Sequence, residues 1–312
     1  MTDPQRLARR LFNAVNDAKA EGDLPRRDGL LDELRQLAGS YADDPAVRER
    51  LAKGLFNTLN DVKAENDLIR RDALLDELRR LAWAHADDPA VRDRLAKGLF
   101  NTLDDARTEG NLVGRDALLD ELRELARVHP ADAGVHIVLA RGLLNTLIDA
   151  KTEGALDRRD ALLDELRQLA DNYPAEVTVQ GTLAEALFNA LNDATAEDDL
   201  ARRDALLDEL RQLARAHGAD EGVRNQMARG LFNTLHDAKV EDDLGRRDTI
   251  LGELRELAAS HPDDDTLRQV LAEGLFNTLS DAKAEDNLER RNALLDELRQ
   301  LARTHPADAT VR

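Results

Sequence analysis

The sequence predicts an all-α fold, a solenoid of seven tandem helical hairpins. Three observations predict it. A 44-residue frame recurs without insertion or deletion, opening at Leu7, Leu51, Leu95, Leu139, Leu183, Met227 and Leu271. Within each frame apolar residues return at three- and four-residue steps, the spacing of an amphipathic helix. Turn signals fall at fixed places between these periodic stretches. A fixed period in the range of roughly 20 to 50 residues marks an array whose units bury their apolar faces against one another. A chain of 312 residues otherwise suggests about two globular domains. The repeat makes it one array over residues 1–312.

The unit beginning at Leu51 shows how each element follows. Asp44-Pro45 reads as an N-cap carboxylate followed by proline at the first helical position. Val47, Leu51, Leu55, Leu59 and Val62 then recur on one face, joined by Ala52 and Phe56. A first helix, helix A, is expected from about Pro45 to about Glu65. It spans roughly 30 Å at about 1.5 Å per residue. Asn66-Asp67 follows, and becomes Gly22-Asp23, Gly110-Asn111 and Gly154-Ala155 in other units. Gly, Asn and Asp suit a tight turn and the N-cap of a second helix. Pro25 fits only the first turn of that helix.

Helix B carries Leu68, Leu74, Leu75, Leu78, Leu81 and Ala82 on one stripe and ends near His85. The equivalent ends read His129-Pro130, Tyr173-Pro174, His261-Pro262 and His305-Pro306. The residue before a proline avoids the helical region, so helix B stops there. No strand signal interrupts the pattern.

Composition narrows the function. The chain has no Cys, hence no disulfide and no thiolate chemistry. It shows no long apolar run, so no membrane span is expected. Its start, MTDPQRLARRLF, lacks the apolar core of a secretory signal. A cytoplasmic location is the expectation. The net charge of −19 repels a phosphate backbone, which argues against nucleic acid. A basic peptide, a basic protein surface or a cation is then the natural electrostatic partner; acidity that serves solubility alone is the other reading. No acid/base pair, phosphate loop, nucleophile elbow or metal-ligand spacing stands out. Neither enzymatic activity nor a cofactor or metal site is expected.

Some polar positions do not vary between units. Asn57, Asp61 and Glu65 have counterparts in all seven, spaced i, i+4, i+8. Asn is a mediocre helix former because its amide competes for backbone bonds. Asn57, Asn101, Asn189 and their equivalents therefore call for a reason. Either they bond an extended peptide, or they bond each other between neighbouring A helices. Arg71 recurs in every unit, inside the apolar stripe and near the positive end of helix B, where a cation is disfavoured. The expected partners are Asp61 or Glu65 of the same unit. Gly54 is Gly in five of seven units. It costs a helix interior about 1 kcal/mol, which close approach of another helix would justify. The His85 position, with Tyr41 and Tyr173 in two units, reads as packing at the end of helix B. Trp83 reads as a surface residue.

The fourth unit departs most from the pattern. It has Ile137 where others carry Glu49 or Asp93, Ile148 where others carry Asn16 or Asn60, and Val138 for Arg50 and Arg94. Ile137, Val138, Arg141 and Ile148 surround Asn145, away from Leu143 and Leu147. This is a candidate partner-binding patch, with drift at tolerated surface positions as the plainer account. In the final helix B, Leu288, Leu295, Leu298 and Leu301 would be left uncovered, so weak end-to-end self-association is expected. The chain stops at Thr310-Val311-Arg312, in the register of another helix A, as a fragment of a longer protein would.

Leu51-Ala52 and Leu55 on helix A, Leu74, Leu78 and Leu81 on helix B, and a proline just beyond resemble the tetratricopeptide repeat. The resemblance covers all seven units. This unit is ten residues longer than the usual 34 of that family, and the family's aromatic positions are largely Leu here; HEAT-type repeats also reach this length. The resemblance implies a right-handed superhelix whose concave face, lined by A helices, binds peptides or proteins. The expected function is a protein-interaction scaffold. The alternative is a self-assembling rod or spacer with no dedicated ligand.

Overall fold

Most of the helices begin on a carboxylate or amide cap. Asp44 accepts from the backbone N–H of Ala46 (2.9 Å) and Val47 (3.3 Å), with Pro45 as the first helical residue. Asp67 caps the following helix by accepting from Arg70 N–H at 3.1 Å. Both satisfy donors that the first turn leaves open. A computed structural model describes residues 3–65, 67–284 and 286–304. Asn66, Glu285, the His305-Pro306 pair and the segment 310–312 lie outside these residues.

The helices follow in pairs. They are α1 (Pro4–Ala20), α2 (Leu24–Ser40), α3 (Pro45–Ala64), α4 (Leu68–Ala84), α5 (Pro89–Thr108), α6 (Leu112–Val128) and α7 (Ala133–Thr152). Then come α8 (Leu156–Asn172), α9 (Val177–Ala196), α10 (Leu200–Ala216), α11 (Glu221–Val240), α12 (Leu244–Ser260), α13 (Asp265–Ala284) and α14 (Leu288–Thr304). The described residues thus form seven helical hairpins and contain no strand. The odd-numbered helices are the expected A helices, the even-numbered ones the B helices.

The chain divides into two compact units, residues 1–158 and 159–312. Inside each, an A helix packs on its own B helix, on the next A helix, and on the B helix of the hairpin before it. The core lies between these layers. Val47, Leu55, Leu59, Val62 and Leu78 are fully buried, each contributing about 1.5–3 kcal/mol of burial. Leu68 does not join them. It is the first residue of α4 and stays more than a third exposed.

The apolar composition of one helix goes further than the sequence pattern suggests. Helix α7 is long and apolar enough to cross a membrane by length and composition alone. Its side chains at Val135, Leu139, Leu143 and Leu147 are core residues.

Gly54 stands where two hairpins meet. A Cβ there would come within 3.2 Å of Leu31 and 3.3 Å of Leu34 on the preceding B helix. Close approach is the reason for glycine at this position, as expected. The turn between the helices of a hairpin also asks for glycine. Gly22, Gly110 and Gly154 have φ of +74°, +71° and +71°. Asp198, Asp242 and Asp286 hold the same left-handed conformation in later hairpins, which Asp tolerates better than most residues.

Candidate functional site

Internal packing covers most of each A helix and leaves one strip free. On α3 the strip holds Glu49, Arg50, Lys53, Phe56, Asn57 and Asn60, none of them fully buried. This A face repeats from hairpin to hairpin.

The invariant asparagines run along its edge. Asn57 Nδ2 donates to Asn16 Oδ1 of the preceding A helix at 3.0 Å. Asn101 does the same to Asn60 (2.7 Å), and Asn233 to Asn192 (2.7 Å). Of the two readings of these residues, the bond between neighbouring A helices is the one the structure displays. Each bond uses one amide hydrogen of the Asn57-type residue. The Asn57, Asn101 and Asn189 side chains all remain half-buried.

The Arg71 position is paired with its neighbour Asp72, at 3.0 Å, but not with the Asp61 or Glu65 of its own hairpin. Arg71 Nη1 lies 2.6 Å from Glu109 Oε1 and 3.6 Å from Asp105. Both belong to the next A helix and its C-cap. Arg27 reaches Glu65 at 2.6 Å, Arg115 reaches Glu153 at 2.5 Å and Asp149 at 3.3 Å, and Arg159 reaches Glu197 at 2.7 Å. The expected pairing with Asp61 or Glu65 of the same unit is therefore displaced by one hairpin. The N-terminal end of a B helix faces the C-terminal end of the following A helix. The cation there sits among carbonyls and carboxylates, which offsets its poor position on its own helix.

A second arginine extends the network backward. Arg70 bonds Asp28 of the hairpin before, and Arg158, Arg202 and Arg246 treat Asp116, Asp160 and Asp204 alike. Burial would push the Asp28 carboxyl up, but bonds from Arg70 and Arg27 outweigh it and hold the group below the usual carboxylate range. B helices are joined by Arg35 to Glu77 (2.7 Å) and Arg79 to Glu121 (2.7 Å). These partners, 42 residues apart, escape a reading of single units. The constant offset of two less than the period is the signal that could have found them.

One position breaks the pattern. The carboxylates of Asp61 and Asp105 each meet a lysine, Lys19 and Lys63, from the preceding A helix. Asp237 meets Thr195 instead, whose hydroxyl donates at 3.1 Å. Without that cation, burial pushes the Asp237 carboxyl up.

The fourth-unit patch is only partly as expected. Arg141 is exposed, and Ile137, Asn145 and Ile148 are half-buried. Val138, 6 % exposed, is a buried residue and no part of an exposed surface. Its counterparts explain the position. Arg50 lies over the Phe12 ring at 5.7 Å and Arg94 over the Phe56 ring at 5.6 Å. The position thus lies against the previous hairpin's A helix in those two units, and the shorter Val138 is buried there.

Charge is distributed unevenly. Carboxylates gather at turns and caps, as at Asp43-Asp44, Asp87-Asp88, Asp198-Asp199 and Asp242-Asp243. The A face of residues 1–158 carries cations in rows. Arg9, Lys53, Lys97 and Arg141 share one register, and Arg6, Arg50 and Arg94 another. In residues 159–312 the first register reads Glu185, Arg229, Glu273. The acidity of the whole chain is thus not the charge of this face, which alters the expectation of a basic partner.

On the other side, Trp83 is 84 % exposed, as expected of a surface residue. It borders a cavity of about 210 Å³ lined also by Leu95, Leu125, Val128 and His129. Burial and nearby Arg92 hold His129 below its ordinary pKa. The ring sits half-buried at the end of α6.

No protein-family model and no curated protein matches the chain. Among solved structures it is similar to TTC0263, a thermophilic tetratricopeptide protein of Thermus thermophilus. That match has 18 % identity over 72 % of this chain and 99 % of that one, with a TM-score of 0.37. The flexible tandem repeat domain of a bacterial cellulose synthase matches at 17 % identity over 88 % of this chain and 96 % of that one, TM-score 0.32. The human IFIT1 dimer with m7Gppp-AAAA matches at 11 % over 92 % of this chain and 61 % of that one, TM-score 0.38. Within each of its two units, the described residues are a run of tandem helical hairpins.

Proposed function

We propose that the chain is a protein-interaction scaffold that holds a peptide or protein segment on its A-helix face. One observation carries this reading. The A face is a repeated strip that internal packing leaves open, and it presents cations in register on successive A helices beside half-buried asparagine amides. A strip serving only as spacer surface has no need of cations held at one register on successive A helices. The inter-hairpin ion pairs supply the complementary property, a rigid support for side chains that must present a fixed pattern.

Capture from cell extract tests it. The intact chain is compared with Lys53→Glu/Lys97→Glu on the A face and with Trp83→Ser on the opposite side, all three checked for equal melting temperature. Loss of the same captured protein in the A-face variant alone supports the proposal. Capture that survives the A-face change and disappears with Trp83→Ser moves the surface to the B helices.

A further inference from the structure

We infer that the A face of residues 1–158 takes an acidic, extended peptide segment; this rests on the A face being the binding surface. The charge there opposes that of the chain as a whole. Lys53, Lys97 and Arg141 stand in one register on successive A helices, flanked by Arg50 and Arg94. Glu49 and Asp93 neutralise part of this, through Glu49–Lys53 and a 2.8 Å contact between Lys97 and Asp93. Arg141 is exposed and has no ion-pair partner among the described residues. The surface is left with an excess of positive charge, which attracts and orients an anionic partner.

The spacing suits a peptide. Packed helices lie about 8–10 Å apart, and an extended chain in the polyproline II conformation advances about 3.1 Å per residue with three residues per turn. Every third residue of such a peptide therefore faces the same side and meets the next cation. Hydrogen-bonding chemistry favours a peptide over nucleic acid. The asparagine amides and the carboxylates of Glu49 and Asp93 offer acceptors, which a backbone N–H satisfies and a phosphodiester, with acceptors only, does not. The faces of Phe12 and Phe56 are covered by Arg50 and Arg94, so they are not open platforms for stacking a base. Acidic turns at the margins also repel a polymer with a charge on every unit.

The experiment is anisotropy with the full chain and fluorescein-labelled probes. Three twelve-residue peptides carry Glu, Gln or Lys at every third position, with Ser and Gly between; the fourth probe is a twelve-nucleotide oligothymidylate. The Glu peptide is expected to bind about tenfold tighter than the Gln peptide, and the difference to shrink at high salt. Lys97→Glu/Arg141→Glu is expected to weaken the Glu peptide about tenfold, whereas Arg229→Glu leaves it within about twofold. Circular dichroism and melting temperature confirm that both variants fold. Preference for the Lys peptide overturns the inference, as does unchanged binding by Lys97→Glu/Arg141→Glu. Oligothymidylate bound as tightly, and lost in the same variant, would make the ligand a nucleic acid. If Glu and Gln peptides bind equally and both weaken in that variant, the A-face reading stands and the preference for acid falls. If no peptide binds, the inference falls and the A-face reading is left to the capture experiment.

Discussion

Arg115, fully buried, places its Nη1 3.3 Å from Asp149 and 2.5 Å from Glu153, both one hairpin further along the chain. A buried guanidinium on an apolar stripe thus becomes a tie between consecutive hairpins. Removing the cation and removing its partner should differ. Arg115→Met puts an apolar chain on the stripe but takes the cation from Asp116, Glu153 and the buried Asp149, and should cost about 3 kcal/mol or more. Asp149→Ala takes a carboxylate from Arg115 and from Arg107, 3.5 Å away, but leaves Arg115 with Glu153 and Asp116, and should cost less, about 1–2 kcal/mol. Urea melts of the two variants check the order; an equal cost would mean that the pair is not what holds the hairpins in register.

Glycine at the hairpin junction makes a graded prediction. A Cβ at Gly98 would meet Leu75 and Leu78 at 3.4 Å, an ordinary contact. Ala186 already occupies the equivalent place and is fully buried. Gly98→Ala should stabilise the chain by up to about 1 kcal/mol through helix propensity, and Gly98→Leu should destabilise it by about 1–3 kcal/mol through overpacking. Thermal melts of the two variants, read against the parent, give both signs.

The carboxylates predict opposite pH responses. Asp28, Asp116 and Asp160 are held below their unfolded pKa, so their contribution is present above about pH 4 and lost as pH falls through their folded values. Asp237 is pushed up. The folded state then binds its proton more tightly than the unfolded one, and stability is lost as pH rises through its folded value. Thr195→Lys restores the cation found at Lys19 and Lys63. It should lower the Asp237 pKa and raise stability at neutral pH while leaving it nearly unchanged at about pH 3. Melting temperatures across that range test the sign.

The fourth hairpin gives a test of surface against core. Ile137 and Ile148 are half-buried on the A face, so Ile137→Asp/Ile148→Asp should keep its helicity and lose about 1–2 kcal/mol. Val138→Asp, at a buried position, should cost about 3 kcal/mol or more. Chemical denaturation of the two variants separates them.

Much of the fold is legible in the sequence, for reasons that differ by element. Helix bounds follow from local chemistry. Asp44-Pro45 caps and starts α3, and the turn before Asp67 ends it, within a residue of expectation. Gly54 announces a close approach because glycine inside a helix needs a cause. The partner of Arg71 is misplaced by sequence alone because proximity along the chain favours Asp61 and Glu65 across the turn. Which hairpin a B-helix terminus faces is set by stacking, which no single unit encodes. The angle of Val138 on the helical wheel puts it on the surface. The surface that buries this position, where Arg50 and Arg94 lie over Phe12 and Phe56, belongs to the A helix of the previous hairpin. The charge of the A face is hidden by the net charge, since a sum over the chain does not say where carboxylates gather.

Scaffold function rests on which face meets a partner. The most direct measurement is photo-crosslinking with benzoylphenylalanine placed singly at Lys97, on the A face, and at Trp83, on the opposite side, followed by mass spectrometry of the adducts. Binding on the A face predicts a discrete protein adduct from the Lys97 site, competed by unlabelled chain, and none from the Trp83 site. Adducts from Trp83 alone would contradict it.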